Sequence, residues 1–387
     1  MKKALNLQIL KFAAAGIIAV LLIVAAIFLI RFRIPDNPQP KTTESRNTQG
    51  EKQAEVSGLK PGWWESKRDI YFGIPARIKF HLPGANRQEA QKTAENAWKE
   101  FERIGKIFSP SDPDSETVRL NAEDKTNPVE VSADMLEVLK ICRRLWEASG
   151  GAFDPTMTPV KKLWQDAVKT QKIPSEREIK GVLSKTGFRH VKLMEDQSSL
   201  VCKRKGIKFD FGGIAKGFAV DRVAQLFKNS GITDGLIQLG GEISAFGSNQ
   251  DGAPWQIGIQ HPTDMRKIWG SISSYGAIRV STSGNYRQSL EIQGREFYHI
   301  FSPKTGKPVS SRVLGVTTAA CKKKVDCAVL DGAATAITVM GGENGLGMAE
   351  KLGIQSLILT GSRKDGIKEF ATPGLQEFCS QSGGQNP

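Results

Sequence analysis

Apolar and polar positions divide the chain into three regimes. Residues 12–30 carry no charge and are almost wholly aliphatic. At about 1.5 Å rise per residue, such a helix comes close to spanning the roughly 30 Å hydrocarbon core of a bilayer. The run ends in Phe28-Leu29-Ile30-Arg31, without a small-residue cleavage site or a lipobox cysteine, and so reads as an uncleaved signal anchor. Lys2, Lys3 and Lys11 precede it and Arg31 and Arg33 follow it, a weak positive-inside bias. The expectation is a single-pass protein of the cytoplasmic (inner) membrane. Residues 1–11 would be cytoplasmic and the body periplasmic. Residues 31–60, with Pro35, Pro38 and Pro40 in a Thr/Glu/Ser/Gln/Lys mixture, read as a flexible tether that buries nothing. The folded body is expected over 61–378, and the Ser/Gly/Gln-rich residues 379–387 as a frayed tail.

Inside the body the period alternates between that of a helix and that of a strand. Ala90, Ala94, Ala97, Trp98, Phe101, Ile104 and Phe108 fall on one helical face. Ser132 is a good N-cap for a helix through Met135, Val138, Leu139, Cys142, Leu145 and Trp146 that stops at Gly150-Gly151. Further helices are predicted over 176–185, 212–229, 328–340 and 345–352. Strands are predicted over 76–82, 207–211, 235–239, 255–260, 278–281, 297–301 and 315–320. No second linker interrupts the body and no solenoid-length repeat is visible. The fold class is therefore α/β (α+β): one large domain of mixed sheets with helices packed on them.

Composition narrows the class. With 39% hydrophobic residues the chain can build a core, which excludes disorder as the main state. The 54 basic residues against 40 acidic ones, net +14, suggest an anionic partner or simply a solubilising surface. No arginine-rich or aromatic-interleaved run appears, so nucleic acid is not expected as that partner. Cys142, Cys202, Cys321, Cys327 and Cys379 form no C-x-x-C pair and read as isolated thiols, with Cys321 and Cys327 free to pair in an oxidising compartment.

Four segments carry candidate chemistry. In Asp210-Phe211-Gly212-Gly213-Ile214-Ala215-Lys216-Gly217 a double-glycine turn opens a helix, the arrangement that offers free N–H groups and a lysine to a phosphate. It is neither a P-loop nor a Rossmann fingerprint, and the plainer alternative is a tight turn with a solvated lysine. Asp331 and Thr335 lie four apart on a predicted helix and share a face. Their oxygens would suit a hard cation such as Mg²⁺, although a side-chain hydrogen bond is the commoner role of such a pair. In Gly151-Ala152-Phe153-Asp154-Pro155-Thr156, Asp154 could accept from a ligand N–H or merely stabilise its own turn. The fourth segment runs from Thr282-Ser283-Gly284-Asn285-Tyr286 to His299-Ile300-Phe301-Ser302-Pro303-Lys304-Thr305-Gly306 and holds one of only four histidines. No G-x-S-x-G elbow exists, which disfavours a serine hydrolase.

Taken in order, these segments resemble the ApbE family of FAD:protein FMN transferases. Phe108-Ser109-Pro110, Arg119-Leu120-Asn121, Leu239-Gly240-Gly241-Glu242-Ile243 and Pro254-Trp255 join the match, which runs over about residues 72–347. The resemblance implies FAD bound in a cleft of an α/β fold, with Mg²⁺ on its pyrophosphate. It places flavin contacts on Phe72, Ser111, Ala152, Phe153, Asp154, Asp210, Lys216 and Phe301. It places metal contacts on Gly213 and Ala334 through backbone oxygen and on Asp331 and Thr335 through side chains, and it makes His299 the catalytic histidine. The implied reaction moves FMN from FAD to a threonine hydroxyl of an acceptor flavoprotein, such as a membrane-bound respiratory subunit, and releases AMP. A Mg²⁺-dependent FAD pyrophosphatase and a non-catalytic FAD-delivery protein are the alternatives. Ser111 stands where the family usually has an aromatic, and Asn285 and Ser302 stand where it usually has aspartates.

Overall fold

The computed structural model describes residues 55–70, 74–284, 289–309, 312–321, 325–362, 366–376 and 379–380. The expected anchor at 12–30, the segment 1–11 and Phe72 lie outside them. Among the described residues no helix is long and apolar enough to cross a membrane.

The strands are β1 (Val56–Gly58), β2 (Trp63–Ile70), β3 (Ile74–His81), β4 (Val129–Glu130), β5 (Val191–Met194), β6 (Ser199–Cys202), β7 (Gly235–Leu239), β8 (Glu242–Phe246) and β9 (Trp255–Gln260). They continue with β10 (Ile268–Ser274), β11 (Ile278–Gly284), β12 (Ser289–Ile292), β13 (Arg295–Tyr298), β14 (Val313–Cys321), β15 (Gln355–Ser362), β16 (Gly366–Ala371) and β17 (Cys379–Ser380). The helices are α1 (Arg87–Phe108), α2 (Glu116–Ala122), α3 (Ala133–Ala148), α4 (Thr158–Thr170), α5 (Glu176–Leu183), α6 (Ala215–Asn229), α7 (Cys327–Met340), α8 (Gly342–Leu352) and α9 (Pro373–Gln376).

Nine strands form one sheet in the order β1-β2-β3-β7-β8-β11-β14-β15-β16. Every pairing in it is antiparallel, which corrects the expected mixed sheet. The α7–α8 crossover shows why. A single helix returns the chain to the end of the sheet where it started and makes a parallel neighbour. Two consecutive helices, joined at Gly341 with φ +80°, bring β15 back antiparallel to β14.

One face of this sheet packs on α1, α3, α6, α7 and α8 to form the main core. The seven residues expected on one face of α1 are its buried set, and Asn86 begins the helix with a capping box to Glu89. Ser132 caps α3 as expected, accepting from Met135 N. The other face of the sheet, through Leu236, Ala245 and Val280, packs on the small sheet β17-β10-β9. A third apolar cluster joins α4 and α5 to the β12–β13 hairpin.

Three expectations need correction here. Residues 207–211 show the predicted alternation, with Ile207, Phe209 and Phe211 buried, yet they form no strand. Among the described residues no strand pairs with them. Their backbone partners are instead the Asn121 amide, which clamps both N–H and C=O of Phe209, and the Pro155 carbonyl, which accepts from Asp210 N. The segment expected as a tether contains β1, whose Val56 is fully buried against the core while the strand pairs with β2. The expected tail likewise contributes β17, paired with β10. Cys321 and Cys327 are not joined to each other by a disulfide.

Candidate active site

The site forms where α6 and α7 cross. A Cβ on Gly217 would lie 2.4 Å from the Cys327 carbonyl oxygen, so only glycine permits this approach. The closeness lets Asp331, buried on α7, reach the first turn of α6. Its Oδ2 accepts from Gly217 N at 3.1 Å, and both carboxylate oxygens lie 3.3 Å from Lys216 Nζ. An anion at a helix N-terminus is stabilised by the unsatisfied N–H groups there, and in this structure Asp331 supplies that anion. Asp221, one turn further along α6, accepts from Cys327 N and Ala328 N and so caps α7 in return. Burial pushes its carboxyl up to about 7 despite those two hydrogen bonds.

Lys216 also meets Glu242 of β8 at 3.4 Å. Glu242 is 2% exposed, and its Oε2 has no hydrogen-bond partner. Burial is the largest influence on this carboxyl, pushing it up to about 8, and the Lys216 ammonium opposes the rise. The same two carboxylates hold the Lys216 ammonium above the usual lysine range against the opposing effect of burial. Two acids and one base give this group a net charge of −1 when all three are ionised. A further proton or a bound cation balances it.

The double-glycine turn stands beside this cluster. Asp210 Oδ1 accepts from Gly212 N at 2.8 Å, and its Oδ2 accepts from Lys161 Nζ of α4 at 2.6 Å. A Cβ on Gly213 would lie 3.0 Å from Thr335 Oγ1, so the glycine keeps open the space in front of that hydroxyl. The structure thus brings Gly213, Lys216, Asp331 and Thr335 together, with Asp210 in the turn that leads into them. Lys216 is not free, as a pure phosphate ligand would be; it is ion-paired.

Other expected residues are differently engaged. Asp154 is committed to its own turn: Oδ1 accepts from Thr156 N and Oγ1, and Oδ2 from Phe188 N at 2.9 Å. Phe153 is a core residue, its ring near Gly332 of α7, and Ala152 precedes it in the loop after α3. Ala334 is fully buried, and its carbonyl accepts the Thr338 hydroxyl at 2.8 Å inside the helix. Ser111 is exposed in the loop after α1, its N–H directed to Ser109 Oγ.

His299 lies in a bend just past β13, which ends three residues earlier than the strand expected through Phe301. Phe301 leaves that hairpin and bridges to Pro308 across a turn in which Ser302 O accepts from Gly306 N. Trp164 of α4 fixes the turn by donating to Gly306 O at 2.9 Å, with its ring stacked on Phe301. Asn285 lies outside the described residues.

Glu242 was not among the expected site residues. Its signal was a charged residue at a buried position of a strand, next to Gly240-Gly241 in a segment already singled out.

Residues 72–358 match the family model described as ApbE family. The chain belongs to the ApbE family. It is 33% identical over 283 residues to the FAD:protein FMN transferase of Vibrio cholerae, covering 73% of this chain and 83% of that protein. The FAD:protein FMN transferase of Escherichia coli K12 is 26% identical over 301 residues, covering 77% and 84%. The solved flavin transferase ApbE from Vibrio cholerae superposes with a TM-score of 0.70 at 30% identity, over 81% of this chain and 99% of that one. The apo form of the Pseudomonas stutzeri flavinyl transferase ApbE gives a TM-score of 0.70 at 26% identity, over 85% and 98%. The ApbE fold in this chain is thus an α/β fold built on a large antiparallel sheet.

Proposed function

We propose that the protein transfers FMN from FAD to a hydroxyl of a target flavoprotein and releases AMP. Besides family membership, the observation that carries this reading is the Lys216–Asp331–Glu242 group with Gly213 and Thr335 at the start of α6. The acceptor hydroxyl, a threonine by the family resemblance, attacks the phosphorus on the FMN side of the pyrophosphate. A new P–O bond forms, the P–O bond to AMP breaks, and the hydroxyl proton passes to a base. His299 is assigned as that base, and its imidazole takes the proton from the hydroxyl oxygen. The helix start and Lys216 orient the pyrophosphate and offset its charge.

The donor set suits Mg²⁺. Among the described residues no cluster of three or more His, Cys, Asp or Glu side chains could hold a metal ion. What the site offers is hard oxygen: the Asp331 carboxylate, the Thr335 hydroxyl and the backbone oxygen of Gly213, with space kept open by the glycine. Mg²⁺ held there would neutralise phosphoryl oxygens and stabilise the departing phosphate charge. With Mg²⁺ bound, Asp331 would be shared between the ion and Lys216, and Glu242 would keep a second carboxylate on Lys216.

Residues 12–30 are assigned as the anchor, with the body on the periplasmic side beside membrane-bound flavoproteins. Full-length protein incubated with FAD, Mg²⁺ and an acceptor bearing a threonine motif should yield an FMN-sized mass increase on the acceptor and one AMP per adduct. AMP and free FMN without any adduct would instead make the protein a pyrophosphatase.

A further inference from the structure

A cavity of about 430 Å³ lies on the face of the large sheet turned away from α6 and α7. The alternation of β3 puts it there: Ala76, Ile78 and Phe80 enter the main core, while Arg77 and Lys79 face the opposite side. Its floor is Leu236, Gln238 and Ile243 of β7 and β8, its far wall Trp255 and Ile257 of β9, and its rim Asn249-Gln250-Asp251. The volume falls within the roughly 300–1,000 Å³ of small-ligand pockets.

Charge in the cavity does not balance. Lys79 is ion-paired to Glu65 at 3.4 Å, and Asp251 is ion-paired to Lys60. Arg77 has no ion-pair or hydrogen-bond partner among the described residues, and its Nε is shielded from solvent. Gln250 Oε1, across the cavity, is likewise shielded and unpaired. A guanidinium donor and an amide acceptor left unpaired at one cavity are unfavourable unless a ligand or water completes them.

The walls are preformed. Asn249 Oδ1 accepts from Asp251 N and Ala253 N and fixes the rim, and Trp255 Nε1 donates to Phe246 O at 3.0 Å. Little has to be ordered on binding.

We infer that this cavity binds a small organic monoanion, a carboxylate on an apolar or aromatic body, with Arg77 as its charge partner. The guanidinium fork matches a carboxylate in two parallel hydrogen bonds. Leu236, Ile243, Trp255 and Ile257 take the apolar body. Among the described residues Arg77 is the one lining cation with no carboxylate partner, since Lys79 shares Glu65 with Lys67, and its single fork fits one carboxylate better than a phosphate dianion. The site is separate from Lys216, because the sheet itself lies between the two faces.

The test uses para-fluorobenzoate as probe, read by fluorine NMR on the purified full-length protein with FAD and Mg²⁺ at saturation, so that the flavin site is filled. Saturable binding is expected, about ten- to a hundred-fold weaker for the neutral para-fluorobenzamide and for Arg77→Gln, the loss of one charge-assisted contact. Gln250→Leu should also weaken it. Inorganic phosphate should compete poorly. No saturable binding by the wild type, equal binding of acid and amide, or unchanged binding in folded Arg77→Gln would each overturn the assignment. Phosphate competing as well as unlabelled benzoate would overturn the choice of a monoanion. If Arg77→Gln does not fold, the acid–amide comparison on the wild type decides.

Discussion

Replacing Lys216 by methionine keeps much of the side-chain stem and removes the ammonium shared by Asp331 and Glu242. Those carboxylates are 1% and 2% exposed. Removing one partner from a buried ion pair costs about 3–5 kcal/mol, because the remaining charge is left uncompensated. Two features soften the loss. Gly217 N still donates to Asp331, and Glu242 can take up a proton. Burial already holds the Glu242 carboxyl at about 8, and without Lys216 it must rise further. A carboxyl raised by folding binds its proton more tightly in the folded state. Its contribution to stability is therefore present at low pH and is lost as pH climbs from the ordinary carboxylate range through the raised value. Lys216→Met should accordingly cost about 2 kcal/mol near pH 6, where Glu242 is neutral, and about 4 kcal/mol near pH 9. Urea unfolding of the ligand-free full-length protein at both pH values measures this. Adding Glu242→Gln should recover part of the high-pH loss, with a coupling of about 1–3 kcal/mol between the two changes. Losses below about 1 kcal/mol at both pH values, with the double mutant additive, would refute the ion-paired role. Unchanged stability with weakened FAD binding would place Lys216 on the pyrophosphate alone.

Asp331→Ala should lower FMN transfer by about 10²–10³-fold while FAD binding falls less, as measured by adduct mass and flavin fluorescence; wild-type turnover would remove Asp331 from the reaction. Gly217→Ala drives a Cβ into the Cys327 carbonyl, since the ideal position is 2.4 Å from that oxygen. It should destabilise by about 3 kcal/mol or more in the same urea assay, and a loss under 1 kcal/mol would show that the crossing can relax at little cost. Asp221→Asn should remove one of the two N–H acceptors at the start of α7 and flatten the fall in stability between about pH 4 and 7 that the raised Asp221 carboxyl imposes. An unchanged slope across that range would assign it to another group.

The helices were legible where periodicity and caps agreed. The buried face of α1 and the Ser132 cap of α3 follow from residue type and spacing, which are local properties. Strand existence was readable in the same way for β7 and β9, but sheet direction was not. That direction depends on how many helices intervene between neighbours, and here α7 and α8 come as a pair. Residues 207–211 show the limit: alternation reports which side chains are buried, whereas a strand also needs a ladder partner, and Asn121 and Pro155 hold this segment instead. Asp331 and Thr335 were legible as a pair because they share a helical face. The roles of Lys216 and Glu242 depend on the crossing at Gly217 and on the sheet position of β8, contacts distant in sequence. Asp154 was visible as a residue with two readings, and its hydrogen bonds to Thr156 and Phe188 favour the turn.

His299 and the Lys216–Asp331 group are carried by different packing units. Lys216, Asp331 and Thr335 are carried by α6 and α7 in the main core, whereas His299 lies between β13 and Phe301, whose cluster among the described residues has Val160, Trp164, Ala167, Ile179, Ile292 and Phe301 at its buried centre. A core that small opens at a lower free energy than the main one and exchanges its amide hydrogens sooner. Substitutions within it have a route to His299 that bypasses Lys216, Asp331 and Thr335. Under the proposed roles, selection could retune which acceptor loops are served, residue by residue, while the donor half of the reaction stays inherited intact.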